Sequence, residues 1–262
     1  MAYSTSEAVR LGMLVLTAYD LDTQGDPPDF KPPDPYTLVS KIYADDITDH
    51  DPDYKVFGFL AQSGGDMVVA IRGTEGIVEW LWDFEFVLDR FPFGATGRTE
   101  SGFTHFYSTL RTGPDDTKPR VFEALKALVA AGGVQTLTIA GHSLGSAVAT
   151  MLALEIAATG VFKSPTVYTF ASPRVGDAAF AHQYNSLIGE SWRIVNSHDR
   201  VPDLPPELLG FAHADTQTTI DSANGAKHSI SCYHQLRTYL HTLDGTIALD
   251  AGCTRTPTKP VR

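Results

Sequence analysis

The sequence predicts an α/β fold: a largely parallel sheet covered by helices on both faces. Two observations predict it. Across the C-terminal half, short runs rich in β-branched residues alternate with helical runs, the pattern of strand–helix–strand units. With 262 residues, 43% hydrophobic and 19% charged, the chain also has enough apolar content for one sizeable core. No internal repeat or low-complexity tract interrupts it, so residues 1–262 are expected to form a single domain.

The elements follow in order. A first helix is capped at Ser4 or Ser6 and places Ala8, Leu11, Val15 and Ala18 on one face. Its apolar stretch, Leu11–Tyr19, is broken by Gly12 and Thr17 and falls well short of the roughly 20 residues that span a bilayer. Only Arg10 precedes it with positive charge, offset by Glu7, so it reads as a helix and not as a signal peptide. Asp22–Pro35 (DTQGDPPDFKPPDP) carries five prolines without periodicity and reads as a surface loop. Tyr54–Ala61 and Met67–Arg72 are strands joined through Gly64 and Gly65 as a hairpin. Then come helix Val121–Ala131, strand Thr136–Ala140, helix Ser146–Thr159, strand Thr166–Ala171, helix Asp177–Leu187, strand Trp192–Asn196 and a last helix near Ser231–Leu243. In such a sheet the functional loops lie at the carboxyl ends of the strands.

Charge and cysteine content narrow the function. Lys and Arg total 20 against 31 Asp and Glu, a net charge of −11, which disfavours a grip on nucleic acid or anionic lipid. Ten aspartates fall between Asp20 and Asp53, so much of the excess is concentrated near the N-terminus and reads as a solvated surface. Cys232 and Cys253 are too few for a disulfide framework and lack zinc-site spacing; whether they are bridged or free stays open. The alternation of Asp49, Asp51 and Asp53 resembles part of a calcium loop, but Tyr54 and Leu60 stand where glycine and glutamate are needed. No metal and no cofactor is expected.

Gly141–Gly145 reads GHSLG, the pattern of a serine on a sharp strand-to-helix turn. In a chain with 22 glycines the bare pattern arises easily by chance, so context must decide. Here a strand ends at Ala140 and a strong helix (SAVATMLALEIAATG) begins at Ser146, which puts Ser143 on the corner. Without a Cβ at 141 and 145, strand and helix can approach closely and hold Ser143 in a strained conformation. A serine hydroxyl is a weak nucleophile and needs a base, oriented in turn by a carboxylate. Asp199 sits in the first loop beyond a strand, in SHDRVPDLPP; Asp203 is its competitor, and Asp177 reads as a helix cap. Three late histidines are candidates for the base. His234 precedes LRTYLHTL, His241 lies seven residues on near the same helical face, and His228 sits in a polar loop. Residue type does not choose among them.

Five segments together resemble the fungal-type (class 3) lipases of the α/β-hydrolase superfamily. They are AIRGTEGIVEWLWDF at Ala70–Phe84, GFTHFY at Gly102–Tyr107, GHSLG, FASPRVGD at Phe170–Asp177 and HDRVPDLPP at His198–Pro206, in the family's order. The resemblance implies an α/β-hydrolase fold whose sheet is mixed and mostly parallel, with a short lid helix after the oxyanion residue. Carried over by position, it implies Ser143 as nucleophile, Asp199 as orienting acid and Thr74 as an oxyanion-hole residue; the mechanism adds the backbone N–H of Leu144, beside the nucleophile, as the second oxyanion donor. CYHQLRTYL favours His234 as the base, while KHSISCY, similar to a form in some bacterial members, keeps His228 as second candidate. The lid segment would run from about Glu75 to Gly94, with Trp80, Trp82, Phe84, Phe86, Phe91 and Phe93; Ile77–Trp82 reads as the lid, and Phe84 onward as a half-buried strand. TESG at Thr99–Gly102 departs from the family's histidine-containing approach to that glycine. The implied activity is carboxylic-ester hydrolysis, foremost of triacylglycerols. Feruloyl-type esterase, phospholipase A1 and a catalytically silent binding domain are the alternatives. The expected partner is a small-molecule ester or lipid, with no nucleic acid and the chain acting as a monomer.

Overall fold

The computed structural model describes residues 2–45, 53–74 and 86–255. Helix α1 (Thr5–Thr23) is capped by Ser4, whose Oγ accepts the Glu7 N–H, and it buries Ala8, Leu11, Val15 and Ala18. Strands β1 (Thr37–Asp45), β2 (Tyr54–Ser63) and β3 (Asp66–Ile71) form an antiparallel meander. Two short strands follow, β4 (Leu88–Arg90) and β5 (Arg98–Glu100), then α2 (Ser101–Thr109) and α3 (Val121–Ala130). The alternating part comprises β6 (Thr136–His142), α4 (Leu144–Ala158), β7 (Thr166–Phe170), β8 (Gly176–Asp177), α5 (Ala178–Leu187) and β9 (Ser191–Asn196). It closes with β10 (Phe211–Ala212), β11 (Thr216–Ile220), α6 (Ile230–His234) and α7 (Leu236–Leu243).

The main sheet has the order β1-β2-β3-β6-β7-β9-β11. From β3 onward every neighbour is parallel, whereas β1 and β2 are antiparallel, so the sheet is mixed and mostly parallel. Alternation along each strand divides the core. Met67, Val69 and Ile71 of β3 face the cluster built around α4, while Val68 and Ala70 face the one formed with α1 and α7. Helix α4 buries every residue from Leu144 to Ile156, which is why its sequence is apolar all round. A second sheet of order β10-β8-β5-β4 lies beyond the carboxyl ends of the main strands in sequence.

The structure departs from the sequence expectations in several places. β1, β11 and α2 were not anticipated. The last helix is two helices, broken at Gln235, whose backbone is extended (φ −61°, ψ 133°), so His234 ends α6 and does not open the final helix. The proline-rich stretch begins inside α1, which includes Asp22 and Thr23, and part of it turns inward. Asp22 pairs with the buried guanidinium of Arg72 at 2.9 Å, and Asp26 accepts the Tyr43 hydroxyl at 2.8 Å, so these two aspartates are structural and not merely solvated. Cys232 and Cys253 are joined in a disulfide. The lid reading at Ile77–Trp82, like Asp49 and Asp51, lies outside the described residues; Phe86 and Leu88 are half-buried, leading into and opening β4. Among the described residues no helix is long and apolar enough to cross a membrane.

Candidate active site

The corner between β6 and α4 is set by backbone crowding. A Cβ on Gly141 would stand 2.2 Å from the Gly145 carbonyl oxygen, and one on Gly145 would stand 2.3 Å from that of Arg72. Only glycine fits at either place. Ser143 between them has φ 57° and ψ −124°, a conformation that costs a side-chain-bearing residue energy and persists only where its surroundings over-determine it. The surroundings do so: the Ser143 N–H donates to Phe170 O at 2.9 Å, and the Ser146 hydroxyl lies 2.8 Å from both Gly141 O and Phe170 O. Ser143 caps α4 without a side-chain bond to the helix, so its Oγ is left for another partner.

That partner is His234. Its Nε2 lies 2.9 Å from Ser143 Oγ, and its Nδ1 lies 2.8 Å from Asp199 Oδ2. All three side chains are buried. Asp199 follows β9, which carries it to the same edge of the sheet as Ser143. Its Oδ1 accepts the Val201 N–H at 3.0 Å and its Oδ2 also accepts the Tyr239 hydroxyl at 2.7 Å. Burial, and after it the Asp199 charge, push the Tyr239 hydroxyl well above its ordinary range, so it stays a donor. With Nδ1–H pointing at a carboxylate, Nε2 is free to accept the Ser143 proton.

The oxyanion candidates sit beside this relay. Leu144 is the first residue of α4, and its N–H has no acceptor within the helix. Thr74 is half-buried and follows Gly73, where a Cβ would come within 2.9 Å of Ser143 Cβ. The chain just past β3 therefore passes directly against the serine.

Of the sequence-derived residues, Ser143, Asp199 and His234 come together. Asp203 does not: it is exposed and pairs with Arg200 at 3.3 Å. Asp177 caps α5 through the Phe180 N–H at 3.0 Å. His228 is exposed and its ring nitrogen meets the Arg255 guanidinium, while His241 Nδ1 bonds Ile247 O at 2.7 Å. Two residues escaped sequence reasoning. Tyr239 is one; Asn196 is the other, its side-chain amide bonding Ser222 Oγ at 2.8 Å and Tyr233 O at 2.9 Å, which ties the end of β9 to the residue before His234. No sequence spacing distinguishes them from ordinary core polar residues.

Known proteins resemble this chain in sequence and in fold. The family model "Lipase (class 3)" matches residues 68–209. The secreted mono- and diacylglycerol lipase A of Penicillium cyclopium is 32% identical over 195 residues, 74% of this chain and 59% of its own length. Phospholipase A1-II 4 of Oryza sativa subsp. japonica is 30% identical over 210 residues, 72% of this chain and 52% of its length. The chain thus spans little more than half the length of these curated relatives. A crystal structure of a mutant of MDLA from Penicillium cyclopium superimposes with a TM-score of 0.66 at 26% identity, covering 88% of this chain and 86% of the other. This chain belongs to the class 3 lipase family and has its α/β-hydrolase fold.

Proposed function

We propose that this chain is a serine carboxylic-ester hydrolase acting on acylglycerols. The observation that carries the reading is the continuous hydrogen-bonded series from Ser143 Oγ through His234 to Asp199, at 2.9 and 2.8 Å, on a strained strand-to-helix corner. His234 Nε2 takes the Ser143 proton as the serine oxygen attacks the ester carbonyl. The negative charge that develops on the carbonyl oxygen is met by the N–H groups of Leu144 and Thr74, at the positive end of α4. As the tetrahedral adduct collapses, His234 gives its proton to the departing alcohol. Water then attacks the acyl-serine, losing its proton to His234, and the acid leaves as Ser143 is reprotonated. Throughout, Asp199 holds the imidazole tautomer and stabilises its charged form, with Tyr239 and the Val201 N–H holding Asp199.

The substrate class rests on similarity to the Penicillium acylglycerol lipase; similarity to the rice phospholipase A1 supports phospholipid as a second class. The net charge of −11 weighs against an anionic lipid surface and so for neutral acylglycerols. The Cys232–Cys253 disulfide supports an oxidising compartment, outside the cytosol. Hydrolysis of a neutral monoacylglycerol and diacylglycerol emulsion, beside zwitterionic phospholipid vesicles, is the test, with Ser143→Ala as control. Release of fatty acid from the emulsion that disappears in Ser143→Ala is expected. Equal release by Ser143→Ala would overturn the mechanism; release from phospholipid alone would transfer it to the second class.

A further inference from the structure

Four polar groups, from α1, β6, α6 and the residues just past β3, meet behind Ser143. Tyr19 of α1 accepts the Gly73 N–H at 2.9 Å through its hydroxyl oxygen, and the same hydroxyl lies 2.7 Å from Nδ1 of His142, the last residue of β6. The other ring nitrogen of His142, Nε2, lies 2.8 Å from the backbone carbonyl of His234. Each hydrogen in the series can be assigned. A carbonyl only accepts, so His142 Nε2 carries its hydrogen. Burial first, and then the neighbouring His234, hold the His142 imidazole well below its ordinary range, so the ring is neutral and Nδ1 is a bare acceptor. The Tyr19 O–H therefore donates to it. The direction runs without a break from Gly73 N–H, through Tyr19 and His142, to His234 O.

The two ends of this series are the two parts of the site that must keep a fixed separation. Gly73 shares a peptide bond with Thr74, whose N–H is assigned to the oxyanion, and His234 is the assigned base. We propose that Tyr19 and His142 are positioning residues: their hydrogen-bonded series fixes the oxyanion side of the site against the backbone of the base, across Ser143. The inference rests on the roles given above to Ser143, His234 and Thr74. Neither residue touches the reacting atoms. The packing leaves little room for another arrangement: a Cβ at Gly73 would lie 2.7 Å from Tyr19 Oη, and the His142 and His234 rings stand 4.9 Å apart. A core filler would be indifferent to the loss of one hydroxyl. A positioning residue would not, because a misplacement of about 1 Å costs up to about 100-fold in rate.

The test compares wild type with Tyr19→Phe, His142→Leu and the double variant, using p-nitrophenyl butyrate. Each preparation is titrated with a p-nitrophenyl phosphonate so that kcat is expressed per labelled serine. Tyr19→Phe and His142→Leu are each expected to lower kcat about 10- to 100-fold while KM moves by less than about threefold. Because the two act in one series, the double variant is expected to be no slower than His142→Leu alone. His142→Gln, whose amide can still donate to His234 O, is expected to recover part of the loss and serves as the second variant should leucine prevent folding. A kcat for Tyr19→Phe within about twofold of wild type, or losses that multiply in the double variant, would overturn the proposal. Failure of the phosphonate to label wild type at all would instead overturn the role of Ser143 on which it stands.

Discussion

The nucleophile corner and the segment that carries the base are held in place by opposite means. Ser143 sits where two elements of regular structure meet, and Gly141, Gly145, the Phe170 carbonyl and the Arg72 carbonyl leave its backbone no alternative. His234 ends a five-residue helix between an irregular stretch and the break at Gln235, and its place depends on cross-links from distant parts of the chain. Asn196 holds the preceding carbonyl at 2.9 Å, His142 holds its own at 2.8 Å, and the disulfide from Cys232 anchors α6 to the C-terminal stretch around Cys253. The corner is locked by backbone crowding around its two glycines and the base by side-chain and disulfide cross-links, so the two should fail differently when perturbed.

The largest effect is expected at the corner. In Gly145→Ala the new methyl would meet the Arg72 carbonyl oxygen at 2.3 Å, with no flexible side chain able to yield. A loss of more than about 100-fold in kcat/KM is expected, together with about 3 kcal/mol of stability lost to overpacking. Chemical denaturation and ester hydrolysis measure the two. Near-normal activity would show that the corner is less constrained than the contact implies.

On the base side, Cys232→Ser with Cys253→Ser opens a link closed over 21 residues, and about 3 kcal/mol of stability is expected to go with it. Because the bond restrains α6 and not the corner, kcat should fall while phosphonate-modified serine, once formed, remains on Ser143. Denaturant midpoints with and without the pair check the first part, and peptide mapping the second.

This contrast also explains what the sequence disclosed. GHSLG, the strand before it and the helix after it could be read because the two glycines and both flanking elements lie within a few residues of Ser143, although the Phe170 and Arg72 carbonyls that complete the corner come from elsewhere in the chain. Asp199 could be read because it lies in the first loop beyond a strand. The choice of His234 over His228 could not be made from spacing and rested on the resemblance of CYHQLRTYL; in the structure the bonds to Ser143 and Asp199 single out His234, and the contacts from Asn196, His142 and Cys253 hold its segment. The break at Gln235 has neither glycine nor proline to announce it. Thr216–Ile220 (TQTTI) is a half-exposed edge strand whose pairing is supplied by β9. Ser101–Thr109 (SGFTHFYST) is a weak helix former, secured by the Glu100 side-chain cap at 2.7 Å and by burial of Phe103, Phe106 and Tyr107.

Acid should loosen the loop beyond Asp199 in a defined interval. His213 Nε2 donates to Pro202 O at 2.9 Å, and burial, followed by the charges of Arg193 and Arg174, pushes its imidazole down to about 3 from 6.5. The unfolded chain takes up this proton near pH 6.5 and the native chain refuses it until about pH 3, so stability is present above that interval and is lost as pH falls through it. Between pH 7 and 5 the loss is about 2 kcal/mol. His142, buried and likewise held neutral, adds to it in the same direction. Urea unfolding of His213→Gln across this range should give a shallower pH dependence than wild type; an identical slope would remove His213 from the account.

Two smaller effects sharpen the comparison. Tyr239→Phe removes one of the donors to Asp199 and leaves His234 and Val201 in place, so kcat/KM should fall about fivefold, equivalent to about 1 kcal/mol. His228→Ala, at an exposed ring outside the relay, should leave kcat/KM within about twofold of wild type, measured on the same ester. A loss of several orders of magnitude there would move the base to His228.

The account turns on the serine being activated by this imidazole and no other. Mass-spectrometric mapping of the adduct left by a p-nitrophenyl phosphonate, in wild type and in His234→Ala, measures that directly. The account predicts a single adduct on Ser143 in wild type, slowed by several orders of magnitude in His234→Ala. An adduct on a different serine, or undiminished labelling without the His234 imidazole, would contradict it.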